Sequence, residues 1–401
     1  MIQREKILSQ LHEKKGRFVE FNTAFQREAD VYEKGLEDLA ELTAAALAER
    51  LTGADNPGAL PTEEFDAARD LRLRYPETFA NHQEARTWAH AILLGHTTFA
   101  VDGSQIDHDR NFNIPVAAVQ AAWFENHHAP EGRYAKDTVL EVLSPEELIV
   151  EFDGAQQISE QQVNLRRFEL EVETLCGLMK KAAAERTPGG RLPVAFFDSS
   201  LIISFVDRLQ DQMRDPHVEA LLKLLRCSED AGIPLVGYVD ASDARDLVKM
   251  IERCFALPRA DRIHDAALVQ RGMNWGDRTP LFVCARRGAD QKRPGVLDLI
   301  EADGHRIGFT YLKTTAAAPP ARIDVPMWVH ERGLLDEVLD LVRAEAIVGN
   351  GYPYVIEAAD AAAVLTARDR DAFYAIFQHF AEEQGLRLRI TQKAASKARR
   401  R

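Results

Sequence analysis

The chain has 401 residues, 46% of them hydrophobic and 28% charged, with a formal net charge of −13. That is enough apolar material for one large or two ordinary cores, and the acidity excludes a uniformly basic nucleic-acid binder, though clustered carboxylates can hold divalent cations while a local basic patch holds phosphate. No run approaches the roughly 18 apolar residues of a membrane span, "MIQREKILSQ" lacks a signal pattern, and the four cysteines (Cys176, Cys227, Cys254, Cys284) lack metal-site spacing, so zinc and disulfides are not expected and a cytoplasmic setting is.

Residues 3–51 read as helix, because Ile7, Leu11, Phe18, Phe21, Phe25, Tyr32, Leu36, Leu39 and Leu42 recur at three- and four-residue steps. Gly16 and Gly35 are expected to mark bends or breaks, "GADNPGALP" (53–61) a loop, and 62–94 a second helical region. The amphipathic stripe suits dimerisation, partner contact or packing on the body. From Thr97 the texture changes to short β-rich segments: "TTFAVDGSQI", "IPVAAVQAAWF", "DTVLEVL" and "ELIVEFDG". A long helix follows from Ser159, whose spacing to Gln162 suits a capping box, to a stop at "TPGG" (187–190). Then come the strand "LPVAFFDSSLIISF", a helix near 216–231 and the strand "IPLVGYVD". Meander, helix, strand, helix, strand is the order of an α/β, ribonuclease H-like core, here with an added helical N-terminal region (1–95) and further β segments. Those further strands are "RTPLFVCAR", "GVLDLIEADG", "IGFTYLK" and "ARIDVPMW", with helices at 334–346 and 369–384. From 386 to 401 the chain is a basic tail, which reads first as a solvated, frayed end and second as a phosphate-holding patch.

Asp102 and Asp198 share one local pattern: an apolar strand, Asp, a small polar pair, an apolar residue. Each alone suits a turn or helix cap. On neighbouring parallel strands they would stand together at one sheet edge, where a divalent cation relieves their repulsion. A third carboxylate is expected from the long helix, with Glu169, Glu171 and Glu173 as candidates beside the Leu165, Phe168, Val172, Leu175, Met179 stripe. Asp360, set among alanines, is costly to bury unless paired, capping or metal-bound. Tyr352 reaches the same site if a turn and a short helix separate the two. "NHH" (126–128) places histidines on opposite strand faces, and Lys313 reads as a surface lysine with a possible phosphate contact. There is no Walker lysine motif, no GxGxxG and no Ser-His-Asp nucleophile pattern.

In order and spacing, "AVDGS", "FFDSSL", "GFTYLKTT…ARIDVPMWV" and "GYPYVIEAADAAAVLTARDR" resemble the NurA nuclease family over roughly 97–385. The resemblance implies a manganese-dependent deoxyribonuclease (magnesium also being acceptable) with a ribonuclease H-like domain at 96–385. It implies a homodimer that trims 5′ ends, cuts single-stranded DNA and acts with a HerA-type hexameric ATPase in end resection and repair. Carried over by motif, the metal ligands are Asp102, Glu171, Asp198 and Asp360, and Tyr352 joins them as a catalytic residue. Ser199 stands where the family has glycine, and Asp360 where it often has histidine. The competing expectation is a non-catalytic scaffold or regulator of a DNA translocase; a third is an enzyme acting on RNA.

Overall fold

The computed structural model describes residues 2–68, 70–152, 154–287 and 293–389. They form two units: a larger one from Phe79–Tyr238, Leu299–His305 and the chain from Trp328, and a smaller one from the chain up to Thr78, Val239–Asp298 and Arg306–Met327. Of the basic tail, Lys393, Lys397 and Arg399 to Arg401 lie outside the described residues.

In the larger unit the strands run Leu235–Val239, Val194–Phe197, Thr98–Ile106, Ala117–Asn126, Tyr134–Leu143 across the sheet. The last three form an antiparallel meander, and the first two join it in parallel. This is the ribonuclease H-like order. Val194, Ala195, Phe196 and Phe197 are all buried, because a central parallel strand is covered on both faces and cannot alternate. Strand side chains point alternately to the two faces, and this sorts the covering helices. Gly103 faces Glu171 of the long helix Glu160–Glu185. Gln120, opposite Ser104, donates its amide to the Ala363 carbonyl at the end of the helix Tyr354–Ala363 (3.3 Å). The two helices therefore cover opposite faces of the same strands.

The helix His82–Leu93 packs against Leu335–Val348, and Asn81 starts it by accepting from the backbone N–H groups of Gln83 and Glu84. Replacing that cap, Asn81→Ala, should cost about 1 kcal/mol in a urea unfolding curve.

The smaller unit holds an antiparallel sheet ordered Gly58–Pro61, Phe282–Ala285, Ile307–Leu312, Ala321–Pro326. Within it Arg322 is 1% exposed and pairs with Asp246 (2.6 Å) and Asp324 (2.7 Å), its guanidinium lying 4.1 Å from the Phe309 ring centroid. Asp265 accepts the backbone N–H groups of Asp246, Leu247 and Val248, capping the helix Asp246–Phe255 from a distance. Burying charges is tolerable because each is paired and hydrogen-bonded.

Several local expectations change. The N-terminal stretch is three helices, Arg4–Glu13, Lys15–Ala40 and Ala44–Leu51. Gly35 lies inside the second of these: a Cβ there would sit 2.7 Å from Ile251, so the glycine serves close packing rather than a break. Among the described residues, 62–94 hold the turn Glu63–Ala67 and the helix His82–Leu93 in place of one long helical region, and part of the expected 53–61 loop is the strand Gly58–Pro61. "VLDLIEA" is the helix Val296–Ala302, not a strand. The long helix begins without a side-chain cap from Ser159. Among the described residues no helix is long and apolar enough to cross a membrane.

Candidate active site

The Asp102 strand does not stop at its aspartate; it continues through Gly103 and Ser104 to Ile106. Its partner does stop, at Phe197, and in the parallel register Val101 lies opposite Phe197. Asp102 and Asp198 are thus the next residues along two adjacent strands, at one edge of the sheet. Burial pushes the Asp102 carboxyl up to about 6; the charges of Asp360 and Asp198 add to this, against the Gly103 backbone N–H.

Glu171 arrives from the opposite face. An ideal Cβ on Gly103 would lie 1.9 Å from its Oε1, so the strand admits this carboxylate only where it has no side chain. Arg167, one turn earlier, donates to Glu171 Oε1 and to the Gly103 carbonyl, both at 3.1 Å. Burial still pushes Glu171 up to about 7, with Asp102 and Asp198 adding to the shift against Arg167. Its neighbours go elsewhere: Glu169 and Glu173 both pair with Arg166 (3.0 and 3.1 Å). The geometry separates the three helix candidates and brings Glu171 alone to the aspartates.

The "GNGYPY" turn supplies the far wall. A Cβ on Gly349 would fall 1.9 Å from the Tyr352 carbonyl oxygen, and Asn350 (φ 59°) and Gly351 (φ 116°) take the left-handed conformations that tighten the turn. Tyr352 packs edge-on against Tyr238 (centroids 5.1 Å apart) and donates its hydroxyl to Asp198 Oδ1 at 2.5 Å. Asp198, Gly349, Tyr352, Glu357 and Asp360 line a cleft of about 430 Å³. Asp360 is exposed on this cleft, with its alanine neighbours turned inward or away, so burial cost is not what sets it apart. Arg167 and Glu357 are the residues the sequence reading passed over. The only signal for either was spacing, four before Glu171 and three before Asp360, which place each on the same helix face as its neighbour.

The other candidates lie elsewhere. His127 bonds the Thr97 hydroxyl (3.2 Å), and His128 bonds Thr98 and Glu345. Lys313 is buried, not on the surface, and its Nζ donates to the Ala318 carbonyl at 2.6 Å.

Among the described residues no group of three or more His, Cys, Asp or Glu side chains is closed up to cage an ion. The chemistry of the side chains is that of ligands to a hard divalent cation, carboxylate oxygens from Asp102, Glu171, Asp198 and Asp360, with Arg167 as the counter-charge on Glu171.

A ribonuclease H-like sheet with one carboxylate within its first strand and another just past the end of its fourth, side by side, defines the class. The sequence matches the NurA domain over residues 96–365, and the chain belongs to the NurA family, a family of nucleases. It is similar in fold to the NurA nuclease from Sulfolobus solfataricus, with 13% identity over 96% of this chain and 98% of that one, at a TM-score of 0.53. A NurA structure solved with manganese shares 11% identity over 86% of this chain and 96% of its own, at a TM-score of 0.38. No curated protein matches the sequence.

Proposed function

We propose that the protein is a metal-dependent deoxyribonuclease hydrolysing phosphodiester bonds at the Asp102 cluster. The reading is of an enzyme that trims 5′ ends and cuts single strands, working with a HerA-type translocase in end resection. One observation carries it: Asp102 on one strand, Asp198 just past the end of its neighbour, and Glu171 and Asp360 on two helices are brought to one place on the sheet. Carboxylates so placed repel a phosphodiester unless a cation stands between them.

Asp102, Glu171, Asp198 and Asp360 would hold manganese or magnesium, and the ion when bound supplies Lewis acidity and positive charge at the scissile phosphate. The Tyr352 hydroxyl fixes Asp198 from the cleft side. Arg167 holds Glu171 in place by a charge-assisted hydrogen bond. The helical region 1–95 would serve dimerisation or translocase contact. In support, Ile7, Leu11, Phe18 and Phe21 are all exposed on its first two helices.

The test is degradation of 5′- and 3′-labelled single-stranded DNA in manganese and after EDTA, with RNA of the same sequence alongside. Loss of cleavage in EDTA with the RNA intact is the expected result, and the label pattern reads the polarity. Cleavage that persists in EDTA would end the metal reading. No cleavage in either condition, even with a HerA-type partner added, would leave a scaffold.

A further inference from the structure

Among the described residues Glu345 is the least accessible carboxylate of the larger unit that no step above uses: 0% exposed on the helix Leu335–Val348, between Ala344 and Ala346. Its two oxygens collect donors from three separate places. Oε1 accepts the Thr98 hydroxyl at 2.6 Å and lies 3.1 Å from His128 Nε2. Oε2 accepts the backbone N–H of Val355 at 3.1 Å. Val355 is the second residue of the helix Tyr354–Ala363, whose N-cap position is occupied by Pro353, a residue with no side-chain acceptor. Glu345 thus caps from outside a helix that cannot cap itself, with its negative charge at the favourable end of the helix dipole.

Both tethered ends lead to the cleft. Thr98 is four residues before Asp102 on one strand, so their side chains share a face. Val355 lies three residues after Tyr352 and five before Asp360. One buried carboxylate therefore sets the distance between the strand that carries Asp102 and the turn and helix that carry Tyr352 and Asp360.

We infer that Glu345 is a positioning residue for the nuclease site, clamping the Thr98–Ile106 strand to the first turn of the Tyr354–Ala363 helix so that Tyr352 and Asp360 face the aspartates. This rests on the nuclease reading for its consequence, not for its geometry. Truncating the side chain strands the Val355 N–H and leaves Thr98 and His128 only each other (2.9 Å), and a shift of about 1 Å at a reacting centre costs on the order of 10²-fold in rate. Glutamine keeps one acceptor for Val355 and turns an amide toward Thr98 and His128, both of which can accept once the hydroxyl rotates and the imidazole changes tautomer.

The experiment uses the full chain, with labelled single-stranded DNA and manganese, well below the melting temperature of every variant. Glu345→Ala should lower kcat by on the order of 10²-fold with KM for DNA unchanged, and Glu345→Gln should restore most of it. Should Glu345→Ala not fold, Thr98→Val decides: it removes one donor, keeps the side-chain shape, and should lower kcat about tenfold. In parallel, amide hydrogen exchange at Val355 should quicken about tenfold or more in the truncated variant and not in the glutamine one. Wild-type kcat in a folded Glu345→Ala, a glutamine variant as slow as alanine, or unchanged exchange at Val355 would each overturn the clamp. Quickened exchange in a chain whose wild type cleaves no DNA would uphold the clamp and defeat the nuclease reading instead.

Discussion

Asp102→Ala should remove DNA cleavage while leaving the chain folded. The residue sits at a sheet edge where burial and the charges of Asp360 and Asp198 already oppose its ionisation, so deleting it relieves the native state rather than wounding it. Circular dichroism and the melting temperature should match or exceed wild type, while the rate falls by at least about 10²-fold. A sharper companion is Gly103→Ala. The new Cβ would displace the Glu171 carboxylate, the movable end of a long side chain, so the fold survives and the carboxylate does not stay in place. A loss on the order of 10²-fold is expected, and it should vanish when Glu171 is already alanine, because the two changes act through one atom. Wild-type turnover in Gly103→Ala would show that Glu171 does not act from where it stands. Wild-type turnover in Asp102→Ala would move the reaction away from this edge.

Much of this site is legible in the chain because it is built from repeats of one local pattern. An apolar strand followed by Asp and a small polar pair occurs at Asp102 and at Asp198, and the intervening helix forces the second strand into parallel pairing with the first. What local pattern cannot show is why the second residue of "DGS" is glycine. Turn chemistry explains it cheaply and wrongly, since the strand runs on through it to Ile106. The true reason is a carboxylate on a helix some 70 positions later, a tertiary fact. The choice among Glu169, Glu171 and Glu173 fails in sequence for the same reason: Arg166 engages the outer two, and nothing in helical periodicity announces that.

Buried charge was the other blind spot. Lys313 reads as a surface lysine, yet it is buried and bound to a backbone carbonyl, and Arg322 on the next strand is locked between Asp246 and Asp324. Asp360 was the reverse case: its alanine setting suggested a buried aspartate, but Ala359 and Ala363 pack inward while Asp360 stays exposed on the cleft. Composition near a residue does not say which side of a helix it occupies; period does. Glu345 carried a weaker signal: it shares its helix with Asp336, Glu337 and Asp340, but it alone of the four acids stands in the last turn, between Ala344 and Ala346.

Glu171→Gln should make the cation-free protein more stable in mild alkali and no more stable in acid. In the folded chain burial pushes the Glu171 carboxyl up to about 7 from its ordinary value of 4.5. Between those values the native state holds a proton that the unfolded chain has already released, so native stability falls as pH rises through this window. Above it the loss is complete, on the order of 3 kcal/mol, and glutamine, which has no proton to lose, escapes it. Urea unfolding in EDTA at about pH 8 should therefore favour the variant, and at about pH 4 the two should coincide. Asp102, pushed up to about 6, bends the wild-type curve in the same direction. Manganese should invert the ranking at about pH 8, because a cation held by ionised Glu171 stabilises only the chain that can supply that ligand. A variant less stable than wild type in EDTA at that pH would mean that Arg167 outweighs the burial of Glu171. The carboxylate cluster would then be at rest without a cation, and the strain that argues for one would be gone.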